Sequence, residues 1–338
     1  MHFRLRQSWL MLLRSFLLDK FLMALIGAVL LATFLPVTGQ MAVFFEYLVA
    51  CAIALLFFLH GAKLSRSTVI AGIIHWRLHL VVLASTFVIF PVLGLLLGFL
   101  SPFPISPELY AGILFLCILP STVQSSIAFT SIAGGNVPAA VCSATASNIL
   151  GIFITPVLAA LLLKKQGGGI SLDSIEAIML QLLLPFIIGQ IIQPYAGSFL
   201  ARYKKIIGVV DRGSIILVVY SAFSGAVVSG LWHRTSFEDL SILIIVCCAL
   251  LAVILVITTY GSRLLGFSRA DEITIVFCGS KKTLASGVPM ATVLFAGQNI
   301  GAIILPLMLF HQIQLMVCAV IARHYARQSE EETSDGGY

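Results

Sequence analysis

Two neighbouring lysines, Lys281 and Lys282, lie inside Ile273–Phe295, a hydrophobic stretch long enough to cross a membrane. A charged side chain at the centre of a membrane helix costs about 2.5–3.5 kcal/mol on insertion scales. At least one of the two ammonium groups must therefore face a watery cavity or a polar partner, unless the segment is shifted so that both reach an interface. We predict that the pair and its neighbours Ser280 and Thr283 belong to a substrate- or ion-binding site.

A second hydrophobic stretch, Ile113–Ser131, is also interrupted halfway by polar residues. Its sequence LPSTVQSS places Pro120 at the interruption, followed by Gln124, Ser125 and Ser126. Such breaks are tolerated in a membrane mainly where the backbone lines a cavity. Neutral oxygens and freed carbonyls suit a hard cation such as sodium, whereas the N-termini of half-helices suit an anionic group. Hydroxyl groups bonded back to their own helix are the structural alternative.

The two interrupted stretches occupy matching places in the chain, about 160 residues apart. Such a pair indicates the binding site of a secondary transporter. Five hydrophobic segments precede residues 164–174 and five follow them, and an odd number of spans per half inverts the second half. We therefore predict an all-α polytopic membrane protein of ten transmembrane helices. They form two inverted five-helix repeats, and the fourth and ninth helices are broken and cross.

Composition and charge support this class and set the orientation. Hydrophobic residues make up 59% of the 338-residue chain and charged ones only 10%, whereas a soluble domain carries about 25% charged residues. With a cytoplasmic N-terminus, fifteen lysines and arginines fall in cytoplasmic segments and three in outer loops. This asymmetry predicts both termini inside, in a bacterial inner membrane. Basic loops against an anionic leaflet explain the net charge of +6 without nucleic acid.

The predicted organisation has five parts. They are a cytoplasmic amphipathic N-terminus (residues 1–20), the first repeat (21–163), a linker (164–174), the second repeat (175–322) and a cytoplasmic disordered tail (323–338). The seven cysteines all fall inside the predicted spans without a CxxC spacing. They are interpreted as small packing residues, so no disulfide framework, metal centre or cofactor is expected apart from a coupling ion, sodium or a proton.

Further polar residues inside the spans are candidates for lining the cavity. They are Asn136, Asn148, His311, Gln312 and Gln314. An ionisable residue within a membrane span is a functional candidate by default. His311 lies in the middle of the tenth span, where it either lines the pathway or relays protons, or else is a packing histidine with its hydrogen bonds satisfied.

The fifth predicted span carries a stripe of small residues at four-residue spacing. The stripe consists of Ala139, Ser143, Ser147 and Gly151. Small side chains at this spacing let a neighbouring helix approach closely. We predict that the partner is one of the broken helices, although plain helix packing would also explain the stripe.

The motifs LPSTVQSS and FCGSKKTLASGVPM, together with the ten spans, resemble the bile acid:sodium symporter superfamily. EITIVFCGSKK and FHQIQLMVCAV resemble in particular the bacterial branch related to member seven of the vertebrate solute carrier family ten. The resemblance covers nearly the whole chain. It implies a panel domain of spans one, two, six and seven, and a core domain of spans three to five and eight to ten.

The resemblance also implies sodium ligands at Ser125 and Ser126 in the first break and at Thr86 in the third span. Two departures accompany it. The hydroxyl ligands of the fifth span fall on Ala140 and Ala144, which cannot coordinate a cation, and no acid stands where the family's second-break carboxylate falls, near Cys278 or Gly279. The lysine pair follows instead.

We therefore predict that Lys281 or Lys282 replaces the bound cation, so that sodium dependence is weak or absent. A lysine in this position could also take up and release a proton during transport. The predicted function is secondary transport of a small organic anion, such as a sterol-like or other amphipathic acid, by alternating access. The partners are this substrate and the lipid bilayer, and the oligomeric state is left open.

Two other function classes are alternatives to transport. A regulator of ion homeostasis, acting on calcium handling, is the alternative favoured by the resemblance to member seven. An intramembrane enzyme is not expected, because the spans contain no HExxH, GxSxG or paired aspartates.

Overall fold

The computed structural model describes residues 20–63, 75–99, 106–163, 179–228, 230, 236–296 and 298–335. Within these ranges the chain is helical and contains no strand. The predicted N-terminal segment before Lys20 and the linker at 164–174 lie outside the described residues. The helices, in chain order, are α1 (Lys20–Phe34), α2 (Gln40–Lys63), α3 (Trp76–Phe99), α4 (Pro107–Ile118), α5 (Gln124–Ile132), α6 (Val137–Leu163), α7 (Leu184–Arg202), α8 (Lys204–Val228), α9 (Phe237–Leu264), α10 (Arg269–Gly279), α11 (Leu284–Leu294) and α12 (Ile300–Asp335).

Six helices in the described part of the chain are long and apolar enough to cross a membrane. They are α2, α3, α6, α8, α9 and the portion of α12 from Ile300 to Gln328, each 24–29 residues long. A bilayer crossing needs about 20 residues. Shorter apolar helices occur in α1 and α4. The prediction of an all-helical membrane protein is therefore confirmed.

Serine residues cap the starts of three helices, two of which lead into the breaks. Helices α4, α9 and α10 follow Ser106, Ser236 and Ser268, whose hydroxyl oxygens accept hydrogen bonds from the N–H group three residues later at 3.0–3.4 Å. Such caps satisfy backbone donors that the helix itself cannot use. Local sequence thus sets where α4 and α10 begin, and hence how far each runs before its break.

The small-residue stripe of α6 packs against the first break, as predicted. A Cβ atom at Gly151 would lie only 2.7 Å from the Pro120 ring. Four residues earlier, the Ser147 hydroxyl accepts a hydrogen bond of 3.0 Å from the Ser121 N–H. The stripe therefore does more than permit close packing, because it also supplies an acceptor to the non-helical backbone.

The last helix differs from the prediction at its C-terminal end. A disordered tail was expected from residue 323, whereas α12 continues to Asp335. The first part of this extension contacts the start of α10. Tyr325 donates a 2.8 Å hydrogen bond to Glu272, which also accepts two hydrogen bonds from Arg263 at 2.8 and 2.9 Å. This cluster holds the ends of α9, α10 and α12 together.

Candidate functional site

The two broken segments, α4–α5 and α10–α11, contact each other at their interruptions. Thr283, which is buried, donates from its N–H to Pro120 O at 3.0 Å, and the Ser126 hydroxyl donates to Phe277 O at 2.9 Å. The predicted approach of the two breaks is therefore confirmed. The non-helical backbone of one segment is satisfied largely by the other segment, which explains how both breaks are tolerated in an apolar core.

The first break follows from the proline. Leu119 adopts an extended conformation (φ −73°, ψ 153°), as expected for a residue that precedes proline, and α4 ends at Ile118. The last carbonyls of a helix have no partner within it. One of them, Ile118 O, accepts a 2.9 Å hydrogen bond from the Thr155 hydroxyl of α6. The carbonyls on either side of Ile118 are used differently.

Those two carbonyls bind the ammonium group of Lys282. Its Nζ donates to Cys117 O at 2.8 Å, to Leu119 O at 2.7 Å and to Thr86 O at 2.8 Å. We call these three oxygen atoms the carbonyl cage. Three acceptors require three N–H donors, which only the protonated amine supplies. Nζ also lies 4.1 Å from the centre of the Phe90 ring, and the side chain is fully buried.

The third oxygen of the carbonyl cage comes from an irregular turn in α3. Residues Ser85–Ile89 form a π-helical turn, a conformation that is rare and frequent at functional sites. The Thr86 hydroxyl bonds back to Val82 O at 2.8 Å, within its own helix. The predicted ligand Thr86 therefore contributes its carbonyl oxygen rather than its side chain.

The backbone of Lys282 is held by a glutamine from α12. Gln314 accepts from Lys282 N–H and donates to Lys282 O, both at 2.9 Å. His311 contacts Gln314 at 2.9 Å and Lys282 O at 3.4 Å. Both residues were predicted to line the cavity, and the structure places them against the second break. Gln312, the third candidate in this helix, has a buried side-chain oxygen without a hydrogen-bond partner.

Lys281 is equally buried but has a different environment. Its Nζ donates to a single carbonyl, Ser125 O, at 2.9 Å. Aromatic rings take up other directions, with Nζ 4.0 Å from the centre of Phe129 and 5.3 Å from that of Phe277. Neither of the ion pairs found in the described part of the chain includes Lys281 or Lys282. Within the described part of the chain, the site therefore brings together two lysines that have no carboxylate partner.

The predicted polar side chains of the two breaks have separate environments. Ser126 bonds across to the second break, as described above. The Ser280 hydroxyl bonds to Val276 O of its own helix at 2.6 Å, which is the structural alternative. Gln124 is exposed, whereas the Ser125 hydroxyl is buried and has no hydrogen-bond partner.

The two predicted asparagines are engaged in hydrogen bonds. Asn148 of α6 donates to Ser121 O at 2.6 Å and accepts from the Ser286 hydroxyl at 3.3 Å, so it connects the two breaks. Asn136 donates to Asp271 at 2.9 Å near the Glu272 cluster, away from the lysines' contacts. Asn148 thus belongs to the crossing, and Asn136 ties the start of α6 to α10.

Sequence reasoning missed the hydrophobic residues that surround the lysines. Cys117 and Leu119 contribute only backbone oxygens, and Phe90 and Phe129 contribute ring faces. Their side chains give no polar signal. The available clue was Pro120, since a proline that ends a helix leaves the preceding carbonyls in need of donors.

Known proteins from bacteria and vertebrates are similar to this chain over most of its length. The chain is 61% identical over 318 residues to an uncharacterised protein of Pseudomonas aeruginosa, covering 94% of this chain and 95% of that protein. It is 57% identical over 315 residues to YfeH of Escherichia coli, which is named as a candidate symporter, covering 93% and 95%. It is 30% identical over 273 residues to the rat sodium/bile acid cotransporter 7, covering 80% of each.

The family model reaches almost from end to end of the chain. It matches residues 19–327, which include both breaks and the lysine pair. Its description, together with the relatives above, agrees with the apolar helices and with the resemblance found in the motifs. This chain is an integral membrane protein that belongs to the SBF-like CPA transporter family.

Proposed function

We propose that this chain is a secondary transporter that moves a small organic anion by alternating access, with Lys282 as a built-in cation. The observation that carries the proposal is the carbonyl cage, in which an ammonium with all three donors bonded lies where two broken helices meet. Broken helices around a polar site are typical of secondary transporters. The names of YfeH and of the rat cotransporter support the same class.

In this proposal Lys282 takes the place of a bound sodium ion. Carbonyl oxygens are suitable ligands for hard cations. Thr86, a sodium ligand implied by the family resemblance, contributes one of them, which accepts a hydrogen bond from the ammonium. Because the charge is covalently attached, its presence does not depend on the sodium concentration. Transport is therefore expected to depend weakly or not at all on sodium, which leaves a proton as the coupling ion to be tested.

The buried charges favour an anionic substrate. Two lysines lie where the breaks meet, and no carboxylate of the described residues is among their contacts. An uncompensated charge in a low-dielectric site attracts the opposite charge strongly. The printed name of the rat relative makes a sterol-like acid the first compound class to test. The proposed substrate- and ion-binding set is Thr86, Gln124, Ser125, Ser126, Ser280, Lys281, Lys282 and Thr283.

The proposed architecture has ten crossings in two inverted repeats. Helices α1, α2, α3, α4–α5 and α6 form the first repeat, and α7, α8, α9, α10–α11 and α12 form the second. In each half a broken segment comes fourth and a long unbroken helix comes fifth. Both termini are proposed to lie in the cytoplasm. The proposed topology also places Tyr203, between α7 and α8, on the cytoplasmic side. Labelling of Tyr203→Cys with an impermeant thiol reagent in a cysteine-free protein tests this topology, because the position should react only from that side.

The function is tested by uptake into liposomes that contain the purified protein. Candidate organic anions are supplied with a sodium gradient, a proton gradient or neither, and protein-free liposomes serve as the control. We expect uptake of at least one organic anion without sodium. If no anion is taken up, while cytosolic calcium transients change in cells that lack the protein, regulation of ion homeostasis would replace transport.

A further inference from the structure

We propose that Lys281 and the start of α5 form an oxyanion subsite for a carboxylate group of the substrate. The proposal rests on the transport function above and identifies the chemical group that this part of the site recognises. It comes from a count of the donors and acceptors at the two breaks. Several carbonyls at the breaks accept hydrogen bonds, whereas donors around Lys281 are left over.

Several carbonyls at the second break have hydrogen-bond partners. Three consecutive carbonyls at the end of α10, those of residues 277–279, accept hydrogen bonds from the hydroxyls of Ser126, Ser121 and Ser85 at 2.9, 2.5 and 3.0 Å. In the first break, the carbonyl cage and Pro120 O are likewise occupied. A cation that seeks further oxygen ligands finds few unused carbonyls here.

The donors around Lys281 are only partly used. Its ammonium has three N–H groups, and among the described residues it has one hydrogen-bond acceptor, Ser125 O. The rings of Phe129 and Phe277 stabilise the charge through their faces, but a ring face is a weaker partner than a carboxylate. The side chain is fully buried, so bulk solvent does not reach the ammonium in this conformation.

The first turn of α5 adds further donors beside this ammonium. Its N-cap, Val123, makes no side-chain capping bond, and the first backbone hydrogen bond runs from Ile127 N–H to Val123 O at 3.1 Å. The N–H groups of the intervening residues are therefore not used by the helix. They carry the positive end of the helix dipole. The Lys281 ammonium lies beside the same turn, so two positive sources converge without a negative partner.

Two buried hydroxyls complete the set. The side-chain oxygens of Ser125 and Thr122 are both buried without a hydrogen-bond partner, and Thr122 is only 9% exposed. A buried polar group without a partner is costly, so these hydroxyls are suited to bind a ligand. Ammonium, backbone N–H and hydroxyl groups all donate, and the ligand that matches them is rich in acceptors and negatively charged. Among the described residues the Lys281 ammonium has no ion-pair partner. A single positive charge matches a monoanion, which favours a carboxylate.

The test measures the melting temperature of the full-length purified protein in detergent at constant ionic strength. The probes are acetate, benzoate and octanoate, each compared with its neutral primary amide. We expect at least one carboxylate to raise the melting temperature of the wild-type protein and its amide to have no effect. Lys281→Met should weaken that carboxylate roughly tenfold to a hundredfold, the usual range for a charged hydrogen bond, and Lys281→Arg should retain most of the effect.

Ser125→Ala is a second variant that does not depend on the stability of a lysine mutant. Because its hydroxyl has no partner, the variant without ligand should melt like the wild type, yet its carboxylate affinity should fall severalfold. The proposal is overturned if no carboxylate stabilises the wild-type protein more than its amide. It is also overturned if Lys281→Met and Ser125→Ala retain the full preference for the acid. Sodium-independent uptake in liposomes would still support the transport function in either case, so the two failures are distinguishable.

Discussion

Lys281 and Lys282 are adjacent in sequence and equally buried, yet their ammonium groups have opposite hydrogen-bonding states. Lys282 donates to three carbonyls, and Gln314 holds its backbone on both sides. Lys281 donates to one carbonyl and otherwise faces aromatic rings. The comparison shows that a buried charge whose donors are all used behaves as part of the framework. A buried charge with unused donors remains available for a ligand.

Removal of the Lys282 ammonium should have the largest effect. Lys282→Met leaves the carbonyl cage without donors, and each unsatisfied buried acceptor costs about 1–3 kcal/mol. Part of this is offset because burial of the ammonium is no longer needed, which returns about 2.5–3.5 kcal/mol. Three such acceptors cost about 3–9 kcal/mol together, so we expect a net loss of stability of about 3 kcal/mol at the middle of these ranges, and loss of uptake. Lys281→Met, the matched control, loses one acceptor bond against the same return, so its free energy of unfolding should equal that of the wild type or exceed it. A loss as large as that of Lys282→Met would contradict the distinction.

Arginine substitutions sharpen the same comparison. The planar guanidinium is wider than an ammonium and cannot point three donors into the compact carbonyl cage. Lys282→Arg should therefore lower the melting temperature clearly, whereas Lys281→Arg should be tolerated because only one carbonyl and ring faces bind that group. Thermal unfolding of the two purified variants side by side measures this. If Lys282→Arg were more stable than Lys281→Arg, the assignment of Lys282 to the framework and of Lys281 to ligand binding would be wrong.

Gln314 should contribute more to the stability of the protein than the nearby Gln312. The Gln314 amide makes two hydrogen bonds to the Lys282 backbone, and each buried hydrogen bond contributes about 0.5–1.5 kcal/mol. Gln314→Leu should therefore destabilise the protein by about 1–3 kcal/mol. Gln312→Leu is the control, because its side-chain oxygen is already buried without a partner. The stability of Gln312→Leu should be unchanged or higher. An equal loss in both variants would contradict a structural role for the two hydrogen bonds of Gln314.

The smallest expected difference separates two adjacent serines. Ser126→Ala removes the donor to Phe277 O across the breaks and should cost about 1 kcal/mol. Ser125→Ala removes a hydroxyl that has no partner and should cost nothing measurable in the protein without ligand. Denaturation of both variants under identical conditions provides the check. A larger loss for Ser125→Ala would mean that its hydroxyl has a structural role.

The sequence predicted the features that are expensive in a membrane. Pro120 and the lysine pair interrupt apolar segments, and their cost alone indicates that the two breaks must satisfy each other. The stripe on α6 was predictable for the same reason, because small residues at helical spacing favour close packing. Both expectations match the contacts at Gly151 and Lys282.

Other features could not be predicted, because backbone atoms and helix irregularities leave no mark in composition. The π-helical turn at Ser85–Ile89 has an ordinary apolar sequence, so the use of Thr86 through its carbonyl was hidden. The presence of a polar residue also does not reveal with which group its side chain forms a hydrogen bond. Ser280 bonds to its own helix, and Asn136 bonds to Asp271, although both had been placed in the site or its lining.

The most direct test of the central claim, that Lys282 stands in for a bound cation, uses the melting temperature of Lys282→Ala. This variant vacates the carbonyl cage without filling its space. Sodium, methylammonium and the bulkier choline are compared as chloride salts, with the wild-type protein as the control. We predict that sodium or methylammonium stabilises the variant relative to choline and leaves the wild type unchanged. Strong stabilisation of the wild type by sodium, with no response of the variant, would contradict the claim.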